Sequence, residues 1–188
     1  MPAARDDRAR LVQIIKARSF QSGVEIKLAS GRTSTFYINM KPTILDAEGG
    51  FLTASLILDK LQETDARWIG GLEIGAIPVA AAVAAISARR ERPLNAFFVR
   101  KQAKEHGTKS LIEGLMPGET LKGQRVVVVE DVTTTGGSAM KAVAAVRSEG
   151  GEIAAVITIV DREEGAAENF RAAGLPFLAV LTLSDLRD

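Results

Sequence analysis

The chain has 188 residues, of which 46% are apolar and 25% are charged, and its formal net charge at pH 7 is +1. This length and composition fit one α/β domain with a sizeable core, and they exclude a disordered chain. The absence of cysteine excludes disulfides, thiol chemistry and Cys-based zinc sites, so any metal must use oxygen ligands. The near-neutral charge argues against a general nucleic-acid partner.

Neither the beginning of the chain nor its most apolar run predicts a targeting or membrane segment. Met1–Arg10 is charged, unlike a signal peptide. The run Ala76–Ala88 is shorter than the roughly 17 residues that span a bilayer. We therefore expect an unprocessed cytoplasmic protein with no membrane partner.

Helical and extended patterns alternate along the chain without a linker or repeat. At the start, an amphipathic helix, Ala4–Arg18, and two short strands joined by SGRTS predict a small N-terminal hood over residues 1–45 of one domain, residues 1–188. The later alternation predicts a mostly parallel central sheet with helices on both faces. The predicted strands are Val24–Leu28, Thr35–Met40, Arg67–Gly71, Asn95–Arg100, Arg125–Glu130, Glu152–Val160 and Phe177–Leu183, and the other predicted helices are Glu48–Glu63, Pro78–Ala88, Ser138–Glu149 and Ala166–Ala173.

The loop Gly70–Pro78 follows a predicted strand and contains three glycines. Its Pro78 fits the first turn of a helix. A glycine-rich loop that leads into a helix in this way can present backbone N–H groups to an anion. A tight turn that merely reverses the chain is the alternative.

The loop Arg100–Gly114 is strongly basic at its start. Five potential cations fall within ten residues, namely Arg100, Lys101, Lys104, His106 and Lys109. This concentration favours a site for a polyanion, whereas a solvated basic loop is the alternative.

The segment Val126–Ser138 carries the most specific signal. Its four consecutive valines predict a strand covered on both faces, and ligands of such sheets bind at the carboxyl ends of the strands. Glu130 and Asp131 fall at that end, where they can accept hydrogen bonds from the 2′ and 3′ hydroxyls of a ribose. The residues that follow favour a bound 5-phosphate, and they are Val132, Thr133, Thr134, Thr135, Gly136, Gly137 and Ser138. A strand, an acidic turn and a serine cap form the alternative.

Together, EDVTTTGGS and the string RKxxKxHG resemble the orotate phosphoribosyltransferases, members of the type I phosphoribosyltransferase family. LASGRTSTFYINMK and DREEG, which begins at Asp161, extend the resemblance over nearly the whole chain. The resemblance implies the type I fold. It also implies transfer of the 5-phosphoribosyl group of PRPP to orotate, giving orotidine 5′-monophosphate and pyrophosphate in pyrimidine synthesis.

The resemblance also implies roles for residues. It makes Lys101, Lys104, His106 and Asp131 catalytic, and it assigns PRPP binding to these and to Arg100, Glu130 and Val132–Ser138. It implies Mg²⁺ as cofactor, held mainly by PRPP and water and by no direct side chain. A homodimer is implied too, in which the basic loop reaches the partner's site. In the family the loop matching Gly70–Pro78 holds pyrophosphate and often contains a non-proline cis peptide, and several members carry a lysine where this chain has Gly75.

For the base, Thr134 and Arg162 match family positions that contact orotate. Phe36, Tyr37, Asn39 and Lys41 are further candidates, although core packing is the alternative for the two aromatic residues. The family lysine that precedes the SG of the hood is Ala29 here. Lys27 lies two residues earlier and shares its strand face, so it is the candidate substitute.

Two other functions remain open. A purine or xanthine phosphoribosyltransferase would share the PRPP strand, but the hood and RKxxKxHG disfavour it. A non-catalytic PRPP-sensing regulator would usually add a nucleic-acid-binding module, and the intact loop cations favour an enzyme instead.

Overall fold

The computed structural model describes residues 6–27, 33–102 and 110–187, and for residues 24–27 and 33–34 it describes the backbone alone. Its strands are β1 (Phe20–Lys27), β2 (Thr33–Ile38), β3 (Trp68–Leu72), β4 (Asn95–Val99), β5 (Ile112–Glu113), β6 (Arg125–Thr133), β7 (Glu152–Asp161) and β8 (Phe177–Thr182). Its helices are α1 (Asp7–Arg18), α2 (Lys41–Ile44), α3 (Ala47–Lys60), α4 (Ala76–Ser87), α5 (Gly137–Ser148), α6 (Ala166–Ala172) and α7 (Leu183–Arg187).

Six strands form the central sheet in the order β5-β4-β3-β6-β7-β8. All neighbouring pairs are parallel except β4 with the two-residue edge strand β5. The predicted parallel sheet is therefore confirmed. Its parallel strands end at one edge, where β3, β4 and β6 bring their following loops together.

The valines of β6 divide the core between the two faces of the sheet. Val127 and Val129 pack in a cluster with buried residues of α1, α3 and α4. Val126 and Val128 pack in a second cluster with residues of α5 and α6. Because successive strand residues point to opposite faces, this division places helices on both sides, as the unbroken apolar run predicts.

Within the predicted hood, β1 and β2 form an antiparallel pair whose register shifts between Ser22 and Ile26. Phe20 and Phe36 are partly buried against the first core cluster, and their ring centroids lie 6.4 Å apart. Two guanidinium groups cover the Phe36 ring, with Arg162 at 4.8 Å and Arg187 at 4.7 Å from its centroid. The hood therefore packs on the loop after β7 and on the C-terminal helix.

No helix within residues 6–27, 33–102 and 110–187 combines the length and the apolarity needed to cross a membrane.

Candidate functional site

β6 carries the acidic pair to the edge of the sheet. The strand continues through Thr133, beyond its predicted end at Glu130, because Val132 and Thr133 still pair with β7. The buried Thr133 hydroxyl donates a hydrogen bond to Oε2 of Glu130 at 3.1 Å, and the Ser138 hydroxyl and the Ala139 N–H also interact with this carboxylate. The pKa of Glu130 is raised to about 7, mainly by burial and also by the nearby charge of Asp131, while these hydrogen bonds oppose the rise.

Asp131 packs directly on the loop between β3 and α4. A Cβ atom built on Gly75 would lie 2.5 Å from Oδ2 and 2.6 Å from Cγ of Asp131, closer than real Cβ contacts. The same loop contains a cis peptide bond between Glu73 and Ile74, as the resemblance implied. The loop that is expected to hold an anion and the carboxylate that is expected to hold a ribose are therefore in contact.

A cavity of about 210 Å³ opens where these segments meet. It is lined by residues from the start of α2, the end of β3, the β3–α4 loop, the start of α4, the segment after β4, β6 and the start of α5. The lining residues are Lys41, Leu72, Glu73, Ile74, Gly75, Ala76, Lys101, Val129, Glu130, Asp131, Ser138 and Ala139. Three carboxylates thus face two lysines around a small polar space.

The Thr- and Gly-rich turn after β6 leads into α5. Gly136 has φ +85°, and a Cβ atom there would lie 2.5 Å from Cζ of Phe170. The carbonyl of Thr135 accepts a hydrogen bond from Nδ2 of Asn169 at 2.9 Å. Thr135, Gly137 and Ser138 are exposed at the first turn of this twelve-residue helix. An anion there would meet backbone N–H groups of the first turn and the positive end of the helix dipole.

The basic loop begins beside the cavity. The Lys101 N–H donates to Oε1 of Glu73 at 2.7 Å, so the end of β4 is tied to the β3–α4 loop. Arg100, a predicted PRPP ligand, forms an ion pair with Glu113 at 3.5 Å. Lys104 and His106 lie outside the described residues, and their predicted roles stay predictions.

Apart from Lys41, none of the described residues predicted for the base lines this cavity. Arg162 is 5% exposed, and its Nε donates to Oε1 of Glu164 at 2.8 Å while its guanidinium lies over Phe36. Tyr37 is 40% exposed. Thr134 is half-buried in the turn after β6, and the side chain of Lys27 is outside the described part of the chain.

Two residues gain significance from the structure. Lys41, a candidate for the base, lines the cavity of the acidic pair. Arg187, which no motif marks, lies over Phe36. A contact between segments so distant in the chain leaves no local sequence signal.

The acidic residues fit a loosely held magnesium ion. Among the described residues, no group of three His, Cys, Asp or Glu side chains could hold a metal ion. Glu73, Glu130 and Asp131 nevertheless supply oxygen atoms to one cavity. Mg²⁺ keeps several waters and binds through one or two carboxylates together with substrate phosphates, so this donor set suits it.

Comparison with known proteins gives consistent matches. Residues 44–170 match the family described as phosphoribosyl transferase domain. The chain is 58% identical over 178 residues to an orotate phosphoribosyltransferase of Bradyrhizobium diazoefficiens, covering 95% of both chains. It is 44% identical over 187 residues to an orotate phosphoribosyltransferase of Sorangium cellulosum, covering 97% of this chain and 94% of that one. The Mycobacterium tuberculosis orotate phosphoribosyltransferase solved in complex with PRPP superposes with a TM-score of 0.79 at 40% identity, over 97% of this chain and 99% of that chain.

Proposed function

The chain belongs to the orotate phosphoribosyltransferase family, and on that premise we propose that it transfers the 5-phosphoribosyl group of PRPP to orotate. The products are orotidine 5′-monophosphate and pyrophosphate, in the synthesis of UMP. The observation that carries the proposal is the cavity in which Glu130, Asp131, Gly75 and the first turn of α5 meet. Residues 1–188 act as one phosphoribosyltransferase domain, with residues 1–45 as its hood.

The cavity matches the parts of PRPP. The carboxylates of Glu130 and Asp131 accept hydrogen bonds from the ribose hydroxyls. The 5-phosphate lies on the N–H groups and hydroxyls of Val132–Ser138, at the start of α5. The pyrophosphate lies on the β3–α4 loop next to Lys101, which lines the same cavity.

Catalysis is mainly electrostatic in this arrangement. As the bond between C1 and pyrophosphate breaks, negative charge grows on the leaving group and positive charge grows on the ribose ring. Lys101, with Arg100, Lys104 and His106, stabilises the leaving group, and Asp131 stabilises the ring. Mg²⁺, when bound, neutralises phosphate charge and is held mainly by PRPP and water, near Glu130 and Asp131.

Orotate binds beside the ribose on the hood side. Thr134 and Arg162 contact the base, and Tyr37 and Lys27 complete its pocket. The position of Arg162 over Phe36, a hood residue, supports this, because it links the loop after β7 to the hood.

A panel of bases tests the reaction. The protein is incubated with PRPP, Mg²⁺ and orotate, hypoxanthine, xanthine, adenine or uracil in turn, and loss of each base is followed. We expect loss of orotate alone, dependent on both PRPP and Mg²⁺. Strong turnover of a purine without turnover of orotate would instead support the purine alternative, and tight PRPP binding with no turnover would support a regulator.

We also propose a cytoplasmic homodimer in which Lys104 of one subunit acts in the site of its partner. The Lys104→Ala homodimer should be nearly inactive, since one donor to the leaving group is typically worth about a hundredfold in rate. The Asp131→Asn homodimer should be nearly inactive too, because it lacks the carboxylate that accepts the ribose hydroxyls and stabilises the ring. After subunit exchange in an equal mixture, half of the dimers are heterodimers, and each of these has one site without either substitution. About a quarter of the wild-type activity should then return. If exchange is demonstrated and no activity returns, Lys104 does not act across the interface.

A further inference from the structure

We propose that Lys41 is a pyrophosphate-binding residue, which supplies from the hood side the positive charge that the β3–α4 loop does not carry. This inference rests on the proposed function and deepens it, because it names a cation for the leaving group of the same site. It concerns a residue at the start of α2, far in sequence from both the β3–α4 loop and the basic loop.

The first observation is that position 75 leaves no room for a side chain. A Cβ atom at position 75 would lie 2.5 to 2.7 Å from Cγ, Oδ1 and Oδ2 of Asp131, so even a methyl group would have to displace the carboxylate. The other side chains of this part of the loop are Glu73, which accepts the Lys101 N–H, and the apolar Ile74, which is 65% exposed. The loop therefore offers an anion its N–H groups but no cation.

The second observation is the place of Lys41. It lines the cavity together with Glu73–Ala76, Lys101 and Asp131. None of the other described candidates for the base lines this cavity, and these are Phe36, Tyr37, Asn39, Thr134 and Arg162. Lys41 thus lies with the residues for ribose and pyrophosphate and apart from those for orotate.

The third observation is that the backbone of Lys41 is held by its buried neighbours, while its ammonium group is available to bind an anion. Met40 is fully buried before it, and Thr43 and Ile44 are buried after it in the same short helix. The Lys41 N–H donates to Oδ1 of Asn39 at 3.3 Å. Within the described residues the Lys41 ammonium has no ion pair, although three carboxylates share its cavity.

These observations lead to one ligand chemistry. Pyrophosphate carries several negative charges, and the lining of the described cavity offers it only Lys41 and Lys101 as cations. Lys101 lies just after β4 and Lys41 begins α2, so the two lysines reach the cavity from different parts of the fold. A pyrophosphate between them would be bound by charge-assisted hydrogen bonds from both.

The test compares Lys41→Ala and Lys41→Arg with Lys60→Ala, a matched control at an exposed lysine that ends α3. Binding of inorganic pyrophosphate and of PRPP is measured by calorimetry, and KM is measured for PRPP and orotate separately. Lys41→Ala should weaken pyrophosphate and PRPP binding about ten- to hundredfold, the usual range for one hydrogen bond to a charged group. The KM for orotate should change less than about twofold, Lys41→Arg should retain most of the affinity, and Lys60→Ala should match the wild type.

Unchanged pyrophosphate affinity in Lys41→Ala would overturn the inference. A rise in the KM for orotate without a change in pyrophosphate affinity would also overturn it, because Lys41 would then belong to the base pocket. The proposed function fails separately, if the wild-type protein binds pyrophosphate but turns over no orotate. Thermal unfolding of each variant, compared with that of the wild type, shows whether the substitution at Lys41 or Lys60 has left the fold intact.

Discussion

Gly75→Ala should damage catalysis through Asp131 while leaving the fold almost unchanged. The added methyl group would lie 2.5 Å from Oδ2 of Asp131, about 1 Å inside ordinary van der Waals contact, so the carboxylate must move by about that distance. A displacement of about 1 Å at a reacting group can cost about a hundredfold in rate. Gly75 has φ −62° and ψ −38°, values that alanine adopts readily, so the backbone itself is not strained.

The assay is steady-state turnover of orotate at saturating PRPP, beside urea unfolding of the same samples. We expect turnover to fall about a hundredfold and the free energy of unfolding to change by less than about 1 kcal/mol, because the lower entropy of the unfolded alanine chain offsets part of the contact cost. Ala85→Ser, which also adds one heavy atom but at an exposed position of α4, is the control.

A double-mutant cycle identifies the cause. If Gly75→Ala acts through Asp131, it should have little further effect in an Asp131→Ala background. Wild-type turnover in Gly75→Ala would refute the inference that the added methyl group displaces Asp131. If Gly75→Ala lowers turnover by the same factor in the wild type and in Asp131→Ala, the methyl group acts on another part of the site.

Two further predictions concern the acidic pair and the turn after β6. Because the pKa of Glu130 is raised from 4.5 to about 7, the folded protein holds this proton more tightly than the unfolded chain, and its contribution to stability falls as pH rises between those values. Glu130→Gln should therefore flatten this pH dependence in urea unfolding. PRPP affinity, which needs the ionised carboxylate, should rise between pH 6 and pH 8 in the wild type by calorimetry, and a wild-type affinity independent of pH would count against the assignment. Gly136→Ala should lower the free energy of unfolding by about 2 kcal/mol, because of its φ of +85° and the clash with Phe170. Gly137→Ala, with nothing within 4 Å, is the matched control and should stay within about 0.5 kcal/mol of the wild type, and equal effects of the two would contradict the clash.

The central sheet could be predicted because its strands carry strong local signals. The unbroken valines of β6 predict a strand covered on both faces, and the structure distributes them between two core clusters. Three short elements were not predicted, namely α2, β5 and α7, of four, two and five residues. Elements of that length hold too few residues for a hydrophobic period to appear, so only tertiary contacts specify them.

The candidate site was predictable as a set of segments but not as a set of contacts. EDVTTTGGS marks the acidic pair and the phosphate turn because both lie within one short string. The contact of Gly75 with Asp131 joins residues more than fifty positions apart, and it depends on the pairing of β3 with β6. The place of Lys41 in the cavity likewise follows from where α2 packs, which its own sequence does not reveal.

The most direct test of the proposed reaction is to measure pyrophosphate release from PRPP with and without orotate, in the wild type and in Asp131→Asn. The wild type should release one pyrophosphate for each orotidine 5′-monophosphate formed and almost none without orotate. Asp131→Asn, which keeps the size of the side chain and removes its charge, should lose most of this activity while folding normally. Release that needs a purine instead of orotate, or normal turnover in Asp131→Asn, would contradict the proposed reaction or its site.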